Sequence, residues 1–184
     1  MIEVHPLTTE RWNDFATLMG PRGGADGCWC MLWRSPARAY REMRGDENRD
    51  TMKSLVSGRP TGLIAYQEGR PSGWISIGPR SDFVRMKGSR IVAPVDDLPV
   101  WSVTCFFVAK HARRQGVPVA LLDHACVYAK SQGADMVEGY PVDPMGETYV
   151  SAFAWTGYMT VFERCGFVEV ARRSQKRPIM RRML

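Results

Sequence analysis

Ile2 to Leu7 alternates apolar and polar side chains, the period of a strand covered on one face. It runs into Thr8-Thr9-Glu10, where a threonine can cap the helix that Trp12, Phe15, Leu18 and Met19 predict by their spacing. Residues 20–27 are a glycine-rich loop leading to the cluster Cys28-Trp-Cys-Met-Leu-Trp-Arg34. Ser35-Pro36 predicts an N-cap with proline at the first helical position, opening one charged helical stretch to about Arg44 and a second to Ser57. Gly62 to Tyr66 and Gly73 to Ile77 predict a hairpin, and residues 81–99 a short helix followed by loop. Val100 to Val108 is a continuous β-branched and aromatic run, as expected of a central strand covered on both faces.

From Pro118 the period changes to helical, with Val119, Leu122, Cys126 and Ala129 on one face and Gly133 as the stop. Met136 to Tyr140 returns to strand. Tyr158 to Cys165 predicts a short helix ended by Gly166, and Phe167 to Ala171 with Arg177 to Met183 a closing strand pair. Helices and strands interleave along the whole chain, which places it in the mixed α/β class.

The 184 residues suit one domain, 1–184, and 45% hydrophobic with 24% charged residues excludes global disorder. The longest uncharged stretch, Thr148 to Phe162, is 15 residues, whereas a membrane helix needs about 20 apolar ones. The start carries Glu3 and no apolar core of a secretory signal, so a cytoplasmic location is expected. The net charge of +6 resides in Arg172, Arg173, Lys176, Arg177, Arg181 and Arg182; without them the chain is formally neutral. Such a tail can bind nucleic acid, but its interleaving with Val170, Ile179, Met180 and Met183 predicts a solvated strand hairpin instead. Five cysteines without an export signal argue against structural disulfides. Cys28-Trp-Cys30 has no second ligand pair to complete a zinc site, so no metal is expected.

The unit of strand 100–108, basic loop, helix and strand 136–140 places Arg113 and Arg114 where a helix begins. First-turn amides lack partners and the helix dipole favours negative charge, so this start can hold a phosphate, and Gly116 permits close approach. Alone, the tetrapeptide Arg113 to Gly116 reads equally as a solvated turn.

Val108 followed five residues later by Arg113-Arg114-Gln115-Gly116-Val117-Pro118, and the ending Phe162-Glu-Arg-Cys-Gly-Phe167, resemble motifs of the GNAT superfamily of N-acetyltransferases. The order of elements is similar too. The resemblance implies a mixed, mostly antiparallel sheet of six to seven strands flanked by helices. It implies acetyl-CoA as co-substrate, with the strand backbone at Phe106, Phe107 and Val108 pairing with pantetheine and the loop Arg113, Arg114, Gln115, Gly116, Val117, Pro118 and Val119 wrapping the pyrophosphate. Two departures stand out. Pro118 replaces a glycine or alanine and removes one N–H. Phe162 replaces the family's frequent tyrosine acid, leaving Tyr158 or water to protonate the thiolate.

For a base, Glu138 is the candidate, because charge inside an apolar strand needs a reason; a salt-bridged structural glutamate is the alternative. Cys28, Trp29, Cys30, Trp33 and Arg34 fall where related enzymes build the acceptor site, and ordinary core packing is the alternative for them. Together these imply an N-acetyltransferase acting on a primary amine of a small molecule or peptide, with a non-catalytic acyl-CoA-binding module as the second reading. The sequence leaves room for a homodimer.

Overall fold

The computed structural model describes residues 1–147 and 154–184. Strand β1 (Ile2–Pro6) leads through a 3₁₀ turn at Thr9–Arg11 into α1 (Trp12–Met19). Helices α2 (Ala37–Glu42) and α3 (Asp46–Gly58) follow, then β2 (Gly62–Gln67) and β3 (Arg70–Pro79). After two 3₁₀ turns come β4 (Trp101–Val108), α4 (Val117–Ser131), β5 (Met136–Gly139), α5 (Met159–Arg164), β6 (Val168–Ser174) and β7 (Arg177–Met183).

All seven strands join one sheet in the order β1-β2-β3-β4-β5-β7-β6, so residues near both chain ends belong to the same layer. Among the described strand pairs, only β4 and β5 run parallel. The period-two alternation of a strand divides the core in two. Leu63, Ile75, Val103 and Phe106 face Val117, Leu121 and Leu122 of α4 and Phe162 of α5. Their neighbours Ile64 and Trp74 face the other way, onto Phe15 of α1 and Met52 of α3. Strand β4 is the fourth of seven and is covered on both sides, which is why its sequence reads as a continuous β-branched and aromatic run with Ser102 and Thr104 buried in it.

The helix starts differ from the sequence reading. Thr8 is extended but its hydroxyl caps nothing; it accepts from Arg11 instead. Ser35 does not cap α2, because its N–H bonds back to Met31 in the preceding turn, which leaves Pro36 at the N-cap. The predicted short helix after residue 80 is a pair of 3₁₀ turns, Arg80–Asp82 and Val84–Gly88.

The closing strand pair is present, but it is not a solvated hairpin. Strand β7 lies between β5 and β6, with Ile179, Met180 and Arg181 buried. All six basic residues of this end have partners within the chain. Arg172 pairs with Asp143 and Glu169, Arg173 donates to the carbonyls of Ala93 and Pro94, and Lys176 pairs with Glu147. Arg177 donates to Thr156, Arg181 pairs with Asp96 and Glu138, and Arg182 with Asp123. Four of the six pair with carboxylates within the chain.

These pairs set an acid limit. Hydrogen bonds from Arg181 hold the Asp96 carboxyl down at about 2. Asp143 is lowered by the Met145 amide and then by Arg172, and Glu169 by Arg172. A depressed carboxyl stabilises the fold above its unfolded value and loses that contribution as pH falls through the folded value. Stability should therefore hold down to about pH 5 and fall between about pH 4 and pH 2. Urea titrations at stepped pH check this, and Asp96→Asn should remove part of the fall; an identical profile would refute the assignment.

Candidate active site

The site begins where two strands part. β4 pairs with β5 only through Trp101, Val103 and the residue between them, opposite Val137 to Gly139. Beyond that point the strands separate. The register with β3 shifts between Ser76 opposite Cys105 and Ile77 opposite Val103, so Thr104 is an extra residue, a bulge that bends β4 at the opening. On the β5 side of this bend the Phe106 N–H points into the gap, and strand alternation turns the Val108 N–H the same way.

The Phe106 amide already has a partner: it donates to the carbonyl of Trp155 at 2.6 Å. The same segment bonds to the chain beyond β5, where Val142 N–H donates to Gly157 and Met159 N–H donates to Val142, both at 2.8 Å. An acyl group can use the Phe106 amide only after the Trp155 carbonyl releases it. Phe107 packs on the opposite face, against the α1 and Trp74 cluster.

Below the gap, the turn 113–116 opens α4. Arg114 and Gly116 take left-handed conformations, with φ of 62° and 81°. Arg113 and Arg114 are exposed and make no ion pair among the described residues. Gln115 is committed otherwise: its side chain accepts from Gln67 at 2.9 Å and donates to the His111 carbonyl at 2.8 Å, fastening the turn to β2. Val117 is buried under the sheet and Pro118 has no N–H. The Val119 amide bonds to the Gly116 carbonyl, so the donors for an anion lie in the turn itself. No heavy atom stands within 4 Å of where a Gly116 Cβ would be, leaving the approach open. Two free guanidinium groups beside a helix start fit a pyrophosphate.

Glu138 is corrected. Its side chain is 0% exposed, accepts from the Tyr140 hydroxyl at 2.5 Å and from Arg181 Nε at 2.7 Å, and has Arg80 at 3.8 Å. Both oxygens are occupied and no solvent reaches them, which is the salt-bridged alternative rather than a free base. Tyr140 also contacts the Ser102 hydroxyl at 2.9 Å; burial, then Glu138, raises its pKa well above the ordinary phenol value. Phe162 is a core residue. Its ring meets Phe106 and Phe167 edge-on, and a Cβ on Gly139 would sit 2.0 Å from it. Tyr158 is half-buried at the N-cap of α5, its backbone bridged to Val142.

The acceptor cluster divides. Trp29 is buried against Trp12 and Phe15, and Arg34 is 4% exposed, paired with Asp82 at 3.2 Å, bonded to the Thr61 carbonyl and laid over Phe83. Both are core. Cys28, Cys30 and Trp33 remain half-buried, and Trp33 lies 6.1 Å from Trp155 across the opening. Sequence reasoning did not find Cys105, Tyr140 or Trp155. A cysteine at the bend of the central strand was the only local signal. Among the described residues, no group of metal-ligating side chains is large enough to hold an ion, and no helix is long and apolar enough to cross a membrane.

Solved structures share the fold at low identity. An acetyltransferase of the GNAT family from Listeria monocytogenes superposes with a TM-score of 0.59 at 10% identity, covering 100% of this chain and 95% of that one. The PaiA N-acetyltransferase from Thermoplasma acidophilum, solved with coenzyme A, gives 0.55 at 13% identity, covering 100% and 99%. A Streptococcus pneumoniae acetyltransferase of the GNAT family gives 0.56 at 11%, again covering 100% and 99%. No curated protein matches the chain by sequence. The sequence profile of the acetyltransferase (GNAT) family matches residues 29–142, from the acceptor-side loop through β4, the basic turn and β5. Matched over more than half of its length, the chain belongs to the GNAT acetyltransferase family.

Proposed function

We propose that the protein transfers the acetyl group of acetyl-CoA to a primary amine carried by a small molecule or peptide with an apolar body. The observation that carries this reading is the parting of β4 from β5 directly above a basic turn that opens α4. The Arg113 to Val117 turn would hold the pyrophosphate, and the edge amides of Phe106 and Val108 the acyl-pantetheine arm. Acetyl-CoA supplies an activated thioester. The chain's part is to present N–H donors to a carbonyl, to exclude water with the Trp33 and Trp155 rings, and to return a proton from Tyr158 to the departing thiolate. With Glu138 committed to Arg181, the amine reaches the site neutral by loss of its proton to solvent.

Acetyl-CoA should raise Tm by an increment that grows with the logarithm of its concentration, about 2.7 kcal/mol of stabilisation at a hundredfold excess over Kd, which is roughly 5–10 °C for a chain of this size. No shift at millimolar ligand would refute the cofactor reading. The second reading, an acyl-CoA-binding module, is favoured by the occupied Phe106 amide and by phenylalanine at position 162. Release of free thiol on addition of amines from a panel of polyamines, aromatic amines and peptides separates the two. A module gives the thermal shift without thiol release.

A further inference from the structure

Two sulfurs meet at the bend of β4. Cys105, on the residue after the bulge, and Cys30, on the acceptor-side loop, lie 3.6 Å apart in hydrogen-bond contact although 75 residues separate them. The Trp74 indole N–H donates to Cys30 Sγ at 3.1 Å. Trp29 and Cys30 both adopt left-handed backbone conformations, φ 47° and 60°, uncommon for residues with a Cβ. Those turns bring the Cys30 sulfur to the strand. Both cysteine residues are half-buried.

We propose that Cys30 and Cys105 are a redox site that closes reversibly to a disulfide, Cys30 being the sulfur that a peroxide oxidises first. The thiol contact with Cys105 holds the Cys30 pKa below the ordinary value against the opposing effect of burial, with Trp74 and Arg34 adding to the lowering. Cys105 moves the opposite way, raised by its contact with Cys30 and by burial. Oxidation follows the thiolate, so the asymmetry selects Cys30 as the attacking sulfur. Its thiolate displaces hydroxide from the peroxide O–O bond and becomes a sulfenic acid. The Cys105 thiol then attacks that sulfur, the S–S bond forms, the S–O bond breaks, and water leaves with the thiol proton.

The geometry supports this pair over others. A disulfide needs its sulfurs about 2.05 Å apart, so closure asks for a movement of roughly 1.5 Å, which falls on the Cys30 loop because Cys105 is held in the sheet opposite Ser76 of β3. Cys28 is disfavoured: burial, then the neighbouring Cys30, raises its pKa. Cys126 and Cys165 lie under the opposite face, pushed up by burial to about 11 and about 12. Closure ties the loop that carries Trp33 to the strand that carries Phe106. The bond would therefore draw the two walls of the site together.

The test treats the full chain with hydrogen peroxide, blocks remaining thiols with iodoacetamide and maps linked peptides by mass spectrometry. The expected result is loss of two hydrogens, a Cys30–Cys105 linked peptide, and recovery of both thiols with dithiothreitol. In folded Cys105→Ser protein the reaction should stop at a Cys30 sulfenic acid that dimedone traps, and Cys30→Ser should give no link. The wild-type map suffices if either variant fails to fold. Absence of the link, a Cys28–Cys30 link, or oxidation of Cys126 and Cys165 as fast as Cys30 would overturn the proposal. None of these readouts depends on acetyl transfer.

Discussion

Replacing Glu138 with alanine is expected to destabilise the protein by about 3 kcal/mol and to lower Tm by roughly 6–12 °C. The carboxylate is the centre of a buried network. Arg181 joins it to Asp96, whose two oxygens accept from both Nη atoms at 2.6 and 2.8 Å. Tyr140 joins it to Ser102 on β4. Removing it leaves one edge of a guanidinium unpaired away from water and the Tyr140 phenol with Ser102 alone, and breaking one side of a buried pair costs more than the pair contributed. Asp96 still holds Arg181, which places the loss at the low end of the usual range. Glu138→Gln should fall between wild type and alanine, because an amide can accept from Tyr140 but presents a donor to one neighbour that also donates. The decisive comparison is stability against turnover per folded molecule. A structural carboxylate loses the first and keeps the second. A fully stable Glu138→Gln protein with no turnover at low pH would restore Glu138 as the base.

That network shows where local pattern stops informing. A strand with seven apolar residues in nine announces its own burial, and Gly116 and Gly133 bracket α4 because the chain turns left-handed at both, with φ of 81° and 83°. These are near-neighbour effects. Which cation neutralises Glu138 depends instead on β7 being inserted between β5 and β6, a matter of strand order that brings residues 43 positions apart into contact. The same holds for Arg34 and Asp82, and for Cys30 and Cys105. Trp29 looked like a ligand-facing aromatic because its cluster is rich in such residues; its positive φ turns the ring inward onto Trp12. The turn proposed for the cofactor is legible in sequence because a helix start is defined by adjacent residues. The proposed acceptor wall draws on β4 and on loops on both sides of it.

The turn gives the second large effect. Gly116→Glu should weaken acetyl-CoA binding by at least tenfold, about 1.4 kcal/mol. Two causes act together and need separating. Position 116 has φ of 81° and ψ of 0°, so any side chain there carries a left-handed strain of roughly 1–2 kcal/mol. That strain acts on stability, and through a shifted turn it can also reach binding. There is no steric conflict, since nothing lies within 4 Å of the new Cβ. Gly116→Ala therefore isolates the backbone term, and Gly116→Gln adds bulk without charge. Only the glutamate sets a negative charge beside Arg113, Arg114 and the start of α4, where it neutralises the attraction for phosphate and repels it directly. The expected order of affinity is wild type, then alanine, glutamine and glutamate, with the largest step last and reduced by added salt. Isothermal titration of protein shown to be folded by circular dichroism measures that order. Equal affinities for glutamine and glutamate would mean that no phosphate approaches residue 116.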